Sequence, residues 1–145
     1  MSTINLCHVL RRTVYSILPI LILQYNWLPA QQSGLCIGFI ILENPSTVND
    51  HPDGVLAYQI THCKQWYRSC GLYWLLCLFP ILRLRYECEA YAAQIKTYQD
   101  PMLEEHQYLT ALEQLQLEYI PKISFMQKKL CLNIYLDRLE PQLLL

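Results

Sequence analysis

The sequence predicts an α+β protein: an antiparallel apolar hairpin over about residues 17–42, packed on a mostly α-helical body. Three observations carry this. Two short apolar runs, Ile20-Leu21-Ile22-Leu23 and Cys36-Ile37-Gly38-Phe39-Ile40-Ile41-Leu42, are rich in strand formers and separated by the turn-like Gln31-Gln32-Ser33-Gly34. Glu43 to Asp53 then forms a loop full of turn residues. From Gly54 onward, Pro and Gly punctuate apolar residues at helical spacing.

A chain of 145 residues suits one domain, and at this size roughly 70% of the unfolded surface is buried on folding. Apolar residues make up 53% and charged residues 16%, which excludes global disorder. The net charge is −1 and no basic face is apparent, which argues against a nucleic-acid partner. So little charge points to a membrane, a partner or limited solubility. Within the single domain 1–145, an apolar N-terminal segment (1–34), a core (35–98) and C-terminal helices (99–145) are distinguished.

Arg11-Arg12 precede an apolar run from Thr13 to Leu28. Its uninterrupted centre, Ile17 to Leu23, contains Pro19 and is far short of the ~20 residues of a membrane span. A buried strand at Ile20–Leu23 is the preferred reading. A signal peptide cut near Leu28-Pro29-Ala30, or a membrane anchor, competes with it.

The helices follow in order. Asp50 or Asp53 is placed to cap a first helix running to about Cys70, with Gly71 as its C-terminal cap. A short apolar helix, Leu72 to Phe79, is expected to stop at Pro80, and a third to run from about Leu84 to Tyr98. Asp100-Pro101 gives an N-cap followed by proline in the first turn of a fourth, Met102 to Ile120. Leu109, Leu112 and Leu115 mark its apolar face, and Glu104 and Glu105 suit its positive end. Ile123 to Leu139 reads as a last helical segment, with a break at Asn133. The seven cysteines are odd in number and include no C-x-x-C pair. They are read as apolar filler in a reducing compartment, the cytoplasm, rather than as a disulfide framework.

One constellation carries possible chemistry. Tyr58-Gln59-Ile60-Thr61-His62 lies near the middle of the first predicted helix, with Tyr58 and His62 stacked at i and i+4. Zinc peptidases present H-E-x-x-H on such a helix, two imidazole ligands with a glutamate base beside the first. Glu87-Cys88-Glu89-Ala90-Tyr91-Ala92 follows on a later helix. With these pieces, residues 35–98 resemble small zincin-like metallopeptidases of bacteria and phages. That family places a strand before an active helix of the form A-H-E-x-x-H-x-x-Q-W/Y, and then E-x-E-A-Y-A. The matching pieces are Ile37 to Leu42, Ala57 to Trp66 and Glu87 to Ala92.

The resemblance implies a zincin-like body and a site made of His62 and Glu87 as metal ligands, with Glu89 behind them. Tyr58 stands where the first zinc-binding histidine belongs, and Gln59 where the catalytic glutamate belongs. An amide cannot take the proton of a zinc-bound water, so general base catalysis is lost. A neutral hydrogen-bond network of Tyr58, Gln59, His62 and Glu87 is the expected remnant. His51 is a weaker candidate ligand, and His106 with Glu104 and Glu105 reads as a solvated helix start. The implied function is a zincin-like protein without peptidase activity, a pseudoenzyme or binding module. The alternatives are an unusual zinc hydrolase using His62 and Glu87, and a small membrane-associated protein touching lipid through 13–28 and 72–82.

Overall fold

The computed structural model describes residues 20–24, 33–44, 52–117 and 123–139. The protein is α+β, with five helices and a three-stranded mixed sheet among the described residues. The chain divides into two compact units, Met1–Gly71 and Leu72–Leu145. The division falls inside the 35–98 stretch that the sequence groups as one core. Residues 13–19 and 25–28 of the N-terminal apolar run, the Asp50 cap candidate and His51 lie outside the described residues.

The first unit holds β1 (Leu21–Gln24), β2 (Gly34–Ile37), β3 (Ile40–Glu43) and α1 (Pro52–Arg68). The expected strand at 20–23 is present as β1, but it does not form an antiparallel hairpin with the second run. That run is itself a hairpin, in which β2 pairs antiparallel with β3 and Ile37 faces Ile40 across Gly38-Phe39. Gly38 has φ +63° at the first turn position, where a two-residue hairpin turn of this type favours glycine. β3 is central, and β1 lies on its other edge in parallel register, Ile22 beside Ile41. Because every residue from Cys36 to Leu42 except Gly38 is apolar, no alternation marks the turn in the sequence.

One row across this sheet, Ile22–Ile41–Cys36, shares a face. Ile20, Ile22 and Ile41 form a buried cluster with Cys63 of α1, and Leu56 and Ile60 pack against it. Positions 56, 60 and 63 follow the i, i+4, i+7 spacing of one helical face. Asp53 falls in the first turn of α1, where a carboxylate suits the helix dipole. At the other end Cys70 N–H bonds the Tyr67 carbonyl and Gly71 N–H bonds the Trp66 carbonyl, each at 3.0 Å. This is a Schellman termination, and its left-handed C′ residue is Cys70 (φ +52°), one residue before the expected cap at Gly71.

The second unit holds α2 (Tyr73–Leu76), α3 (Pro80–Ile95), α4 (Pro101–Leu117) and α5 (Phe125–Leu139). Pro80 opens α3 rather than merely ending α2. Proline costs nothing in a first turn, and Phe79 before it is extended (φ −88°, ψ 117°), as the residue preceding a proline prefers. Asp100 caps α4 as expected, its Oδ1 accepting from Met102 N–H at 2.9 Å. Glu104 pairs with Lys96 at 3.1 Å, while Glu105 and His106 are exposed. α5 is unbroken at Asn133, whose Oδ1 instead accepts from the Tyr108 hydroxyl at 2.8 Å.

Ser124 and Gln127 form a capping box at the start of α5. Ser124 N–H donates to Gln127 Oε1 at 2.9 Å and Gln127 N–H to Ser124 Oγ at 3.3 Å. The core of this unit joins Leu84, Cys88, Ala92 and Ile95 of α3 to Ala111, Leu112 and Leu115 of α4 and Leu132 of α5. Lys128 is buried in it, and its Nζ donates to the Leu115 carbonyl at 2.8 Å near the C-terminal end of α4. A cation there meets both an orphan carbonyl and the negative end of the helix dipole.

Candidate functional site

The polar residues singled out on α1 are largely buried. Gln59, Thr61, His62 and Gln65 each keep under a tenth of their surface, and Gln65 keeps none. His62 Nδ1 lies 2.9 Å from Gln65 Oε1. An amide oxygen only accepts, so Nδ1 carries the proton and donates it. The Tyr58 ring meets the His62 ring edge-on, 4.6 Å between centroids at 89°. Gln59 stands beside Gly34 of β2, where an added Cβ would lie 3.5 Å from Gln59 Nε2 and 3.2 Å from the Leu42 carbonyl. Thr61 returns its hydroxyl to the Ala57 carbonyl at 2.8 Å.

The hydrogen-bond partner found for His62 is thus Gln65, the glutamine of the matched H-x-x-Q-W stretch, which is not a member of the expected Tyr58, Gln59, His62 and Glu87 network. Tyr58 and His62 are brought together as their spacing predicts. Glu87 and Glu89 are half-buried on α3, in the second unit. Among the described residues, no group of three or more His, Cys, Asp or Glu side chains is arranged to hold a metal ion.

A different pair does converge in the first unit. Cys36 Sγ of β2 and Cys63 Sγ of α1 lie 3.2 Å apart. Cys63 is fully buried and Cys36 partly exposed. The hydrogen bond between them, with burial, pushes the Cys36 thiol up, and the same bond lowers that of Cys63. The two residues are 27 apart on different elements, so spacing gives no sign of the pair.

In the second unit, the expected apolar stretch is laid open. Leu72, Trp74, Leu75, Leu78, Phe79 and Ile81 are each more than half exposed, reaching 74% at Leu78. Tyr73 is buried between them, its ring 5.3 Å from that of Tyr86 on α3, and so fixes α2 in place. Ile81 also begins the wall of a cavity of about 440 Å³ between α3 and α5, shared by Leu84, Arg85, Cys131, Tyr135 and Arg138. Arg85 bonds the Tyr135 hydroxyl, and the Arg138 guanidinium lies over the Tyr135 ring at 5.4 Å. The Cys88 thiol and these two cations lower the Cys131 thiol, against the effect of burial. Among the described residues, no acidic side chain lines the cavity.

Among the described residues no helix is long and apolar enough to cross a membrane. Compared with protein-family models, with curated proteins and with solved structures, the chain matches none.

Proposed function

We propose that this protein is a non-catalytic binding protein that docks on anionic membrane surfaces through residues 72–82. The carrying observation is the run of six exposed large apolar side chains from Leu72 to Ile81. Scattered apolar residues are ordinary on a surface, but a contiguous set held by a buried anchor such as Tyr73 marks a contact surface. Charge selects the occupant. From Gly54 to Tyr86 the only charged residues are Lys64, Arg68, Arg83 and Arg85, all basic. A wedge of Trp, Leu and Phe followed by arginines suits the interface of an anionic bilayer, where aromatic rings sit at the headgroups and cations meet lipid phosphate. Arg85 and Arg138, in the cavity that Ile81 opens, extend this to a headgroup pocket.

Tryptophan emission on titration with vesicles tests the reading. A blue shift with phosphatidylserine-containing vesicles, absent with phosphatidylcholine alone and lost in Trp74→Ala, is expected. Equal shifts with both vesicle types, or one that survives Trp74→Ala, overturn the assignment of the surface.

The non-catalytic half of the reading rests on α1, where Gln59 and His62 serve packing and hydrogen bonding. The zincin-like resemblance accords with it: a helix that once offered ligands now offers one imidazole, already bonded to Gln65. A zinc hydrolase using His62 and Glu87 needs a third ligand, for which the Tyr58 phenol is poor. Zinc analysis and peptide hydrolysis separate these readings. The wild type is expected to hold no stoichiometric zinc, Tyr58→His to raise affinity, and Tyr58→His with Gln59→Glu to be required for any turnover. Stoichiometric zinc with turnover in the wild type overturns the non-catalytic reading.

A further inference from the structure

Independently of the membrane reading, we propose that Cys36 and Cys63 are a redox modification site, a dithiol that a peroxide closes into a reversible disulfide between β2 and α1. The two sulfurs lie 3.2 Å apart, little more than an ångström from the bonded separation of about 2.05 Å. They come from elements whose packing already fixes them. Cys36 stands in the sheet row of Ile22 and Ile41, and Cys63 lies in the cluster those residues form. Closing the bond therefore draws together two side chains that already pack in one cluster between sheet and helix.

Access and reactivity are divided between the two. Cys63 is closed to solvent, while Cys36 is partly open. When the pair loses one proton, the shared hydrogen bond favours the charge on Cys63, and movement of the bridging proton across the 3.2 Å gap to Cys63 transfers the charge to Cys36. On Cys36 that charge meets solvent. A small oxidant suits this opening better than a bulky one, which is why the class proposed is a peroxide.

The step balances as follows. The Cys36 thiolate attacks one peroxide oxygen, the O–O bond breaks, and the departing hydroxide takes the bridging proton and leaves as water. Cys36 is now a sulfenic acid. The Cys63 sulfur attacks the Cys36 sulfur, the S–O bond breaks, and the second oxygen leaves as hydroxide, protonated by solvent to water. Two thiols are oxidised to one disulfide, and hydrogen peroxide is reduced to two waters. Thiol reductants reverse it by exchange.

The test is peptide mapping of the full chain after brief treatment with hydrogen peroxide and alkylation of the remaining thiols. The expected result is a peptide carrying Cys36 joined to one carrying Cys63, lighter than the sum of the two thiol peptides by two hydrogens and absent after dithiothreitol. In Cys63→Ser the intermediate should persist, so dimedone should label Cys36 in that variant and little in the wild type. Recovery of both cysteines as alkylated thiols in the treated wild type, or their joining only to other cysteines, overturns the proposal. Equal dimedone labelling of Cys36 in wild type and variant also overturns it.

Discussion

The Trp66 indole lies directly on Gly38, so that a Cβ built at the glycine would sit 3.2 Å from Cε2. Phe39 meets the same indole at 5.9 Å, and Gly71 lies beside it at the end of α1. One side chain thus seats the β2–β3 turn against the helix terminus.

Gly38→Ala should be destabilising for two reasons. A non-glycine residue in the left-handed region costs about 1–2 kcal/mol, and crowding a rigid ring adds about 1–3 kcal/mol. Gly71→Ala carries the first cost alone, since its Cβ would meet Trp66 at an ordinary 3.6 Å. Urea midpoints of the two variants should therefore rank Gly38→Ala well below Gly71→Ala. Equal losses would show that the indole moves aside freely.

Cys70 gives the opposite prediction. It is exposed and holds φ +52° at the Schellman position, so Cys70→Gly should stabilise the chain by about 1 kcal/mol. Cys70→Ser keeps the penalty and should give no gain. A destabilised Cys70→Gly would mean that the thiol makes a contact worth more than the strain.

Much of the helical order was legible because backbone chemistry punctuates it. Asp100-Pro101 marks the start of α4, and Gly71 lies one residue past the left-handed Cys70 that terminates α1, whose helix ends at Arg68, two residues before the expected Cys70. The strand pairing departs from the expected hairpin for a physical reason. β2, its turn and β3 are nearly all apolar, so period and turn chemistry fell silent together, and strand direction is a tertiary property. The Ser124–Gln127 capping box is written in the sequence as S-x-x-Q at the start of α5. On α1 the Tyr58–His62 contact and the His62–Gln65 bond both follow from i+4 and i+3 spacing, whereas the meeting of Cys36 with Cys63 depends on which helix face turns inward.

Lys128→Met should cost about 1–3 kcal/mol, because it leaves the Leu115 carbonyl buried without its donor. Lys128→Arg retains the charge, but its larger guanidinium must fit a closed site, so it should recover only part of the loss. Thermal unfolding of the two variants checks this. A neutral Lys128→Met would mean that the α4 terminus finds another donor.

Thiol labelling should separate two partly buried cysteines by pH. The Cys88 hydrogen bond, with Arg85 and Arg138, lowers the Cys131 thiol, whereas burial raises that of Cys77. A lowered thiol becomes thiolate at lower pH, and thiolate is the reactive form. Near neutral pH, iodoacetamide should therefore modify Cys131 before Cys77, with the gap narrowing as pH rises past both. Peptide-resolved labelling rates decide it, and a Cys77 lead at neutral pH would contradict the cavity electrostatics.

Co-sedimentation with vesicles, comparing the wild type with Leu78→Ser/Phe79→Ser and Arg83→Ser/Arg85→Ser, tests the central claim most directly. Each cation near an anionic surface contributes about 1 kcal/mol, so the arginine pair should weaken binding by about 2 kcal/mol and flatten its dependence on salt. Leu78→Ser/Phe79→Ser should abolish binding while leaving the fold intact by circular dichroism. Binding by the wild type to phosphatidylserine vesicles but not to phosphatidylcholine, with both losses, is the predicted result. No binding by the wild type, or binding that both double variants retain, would contradict the account.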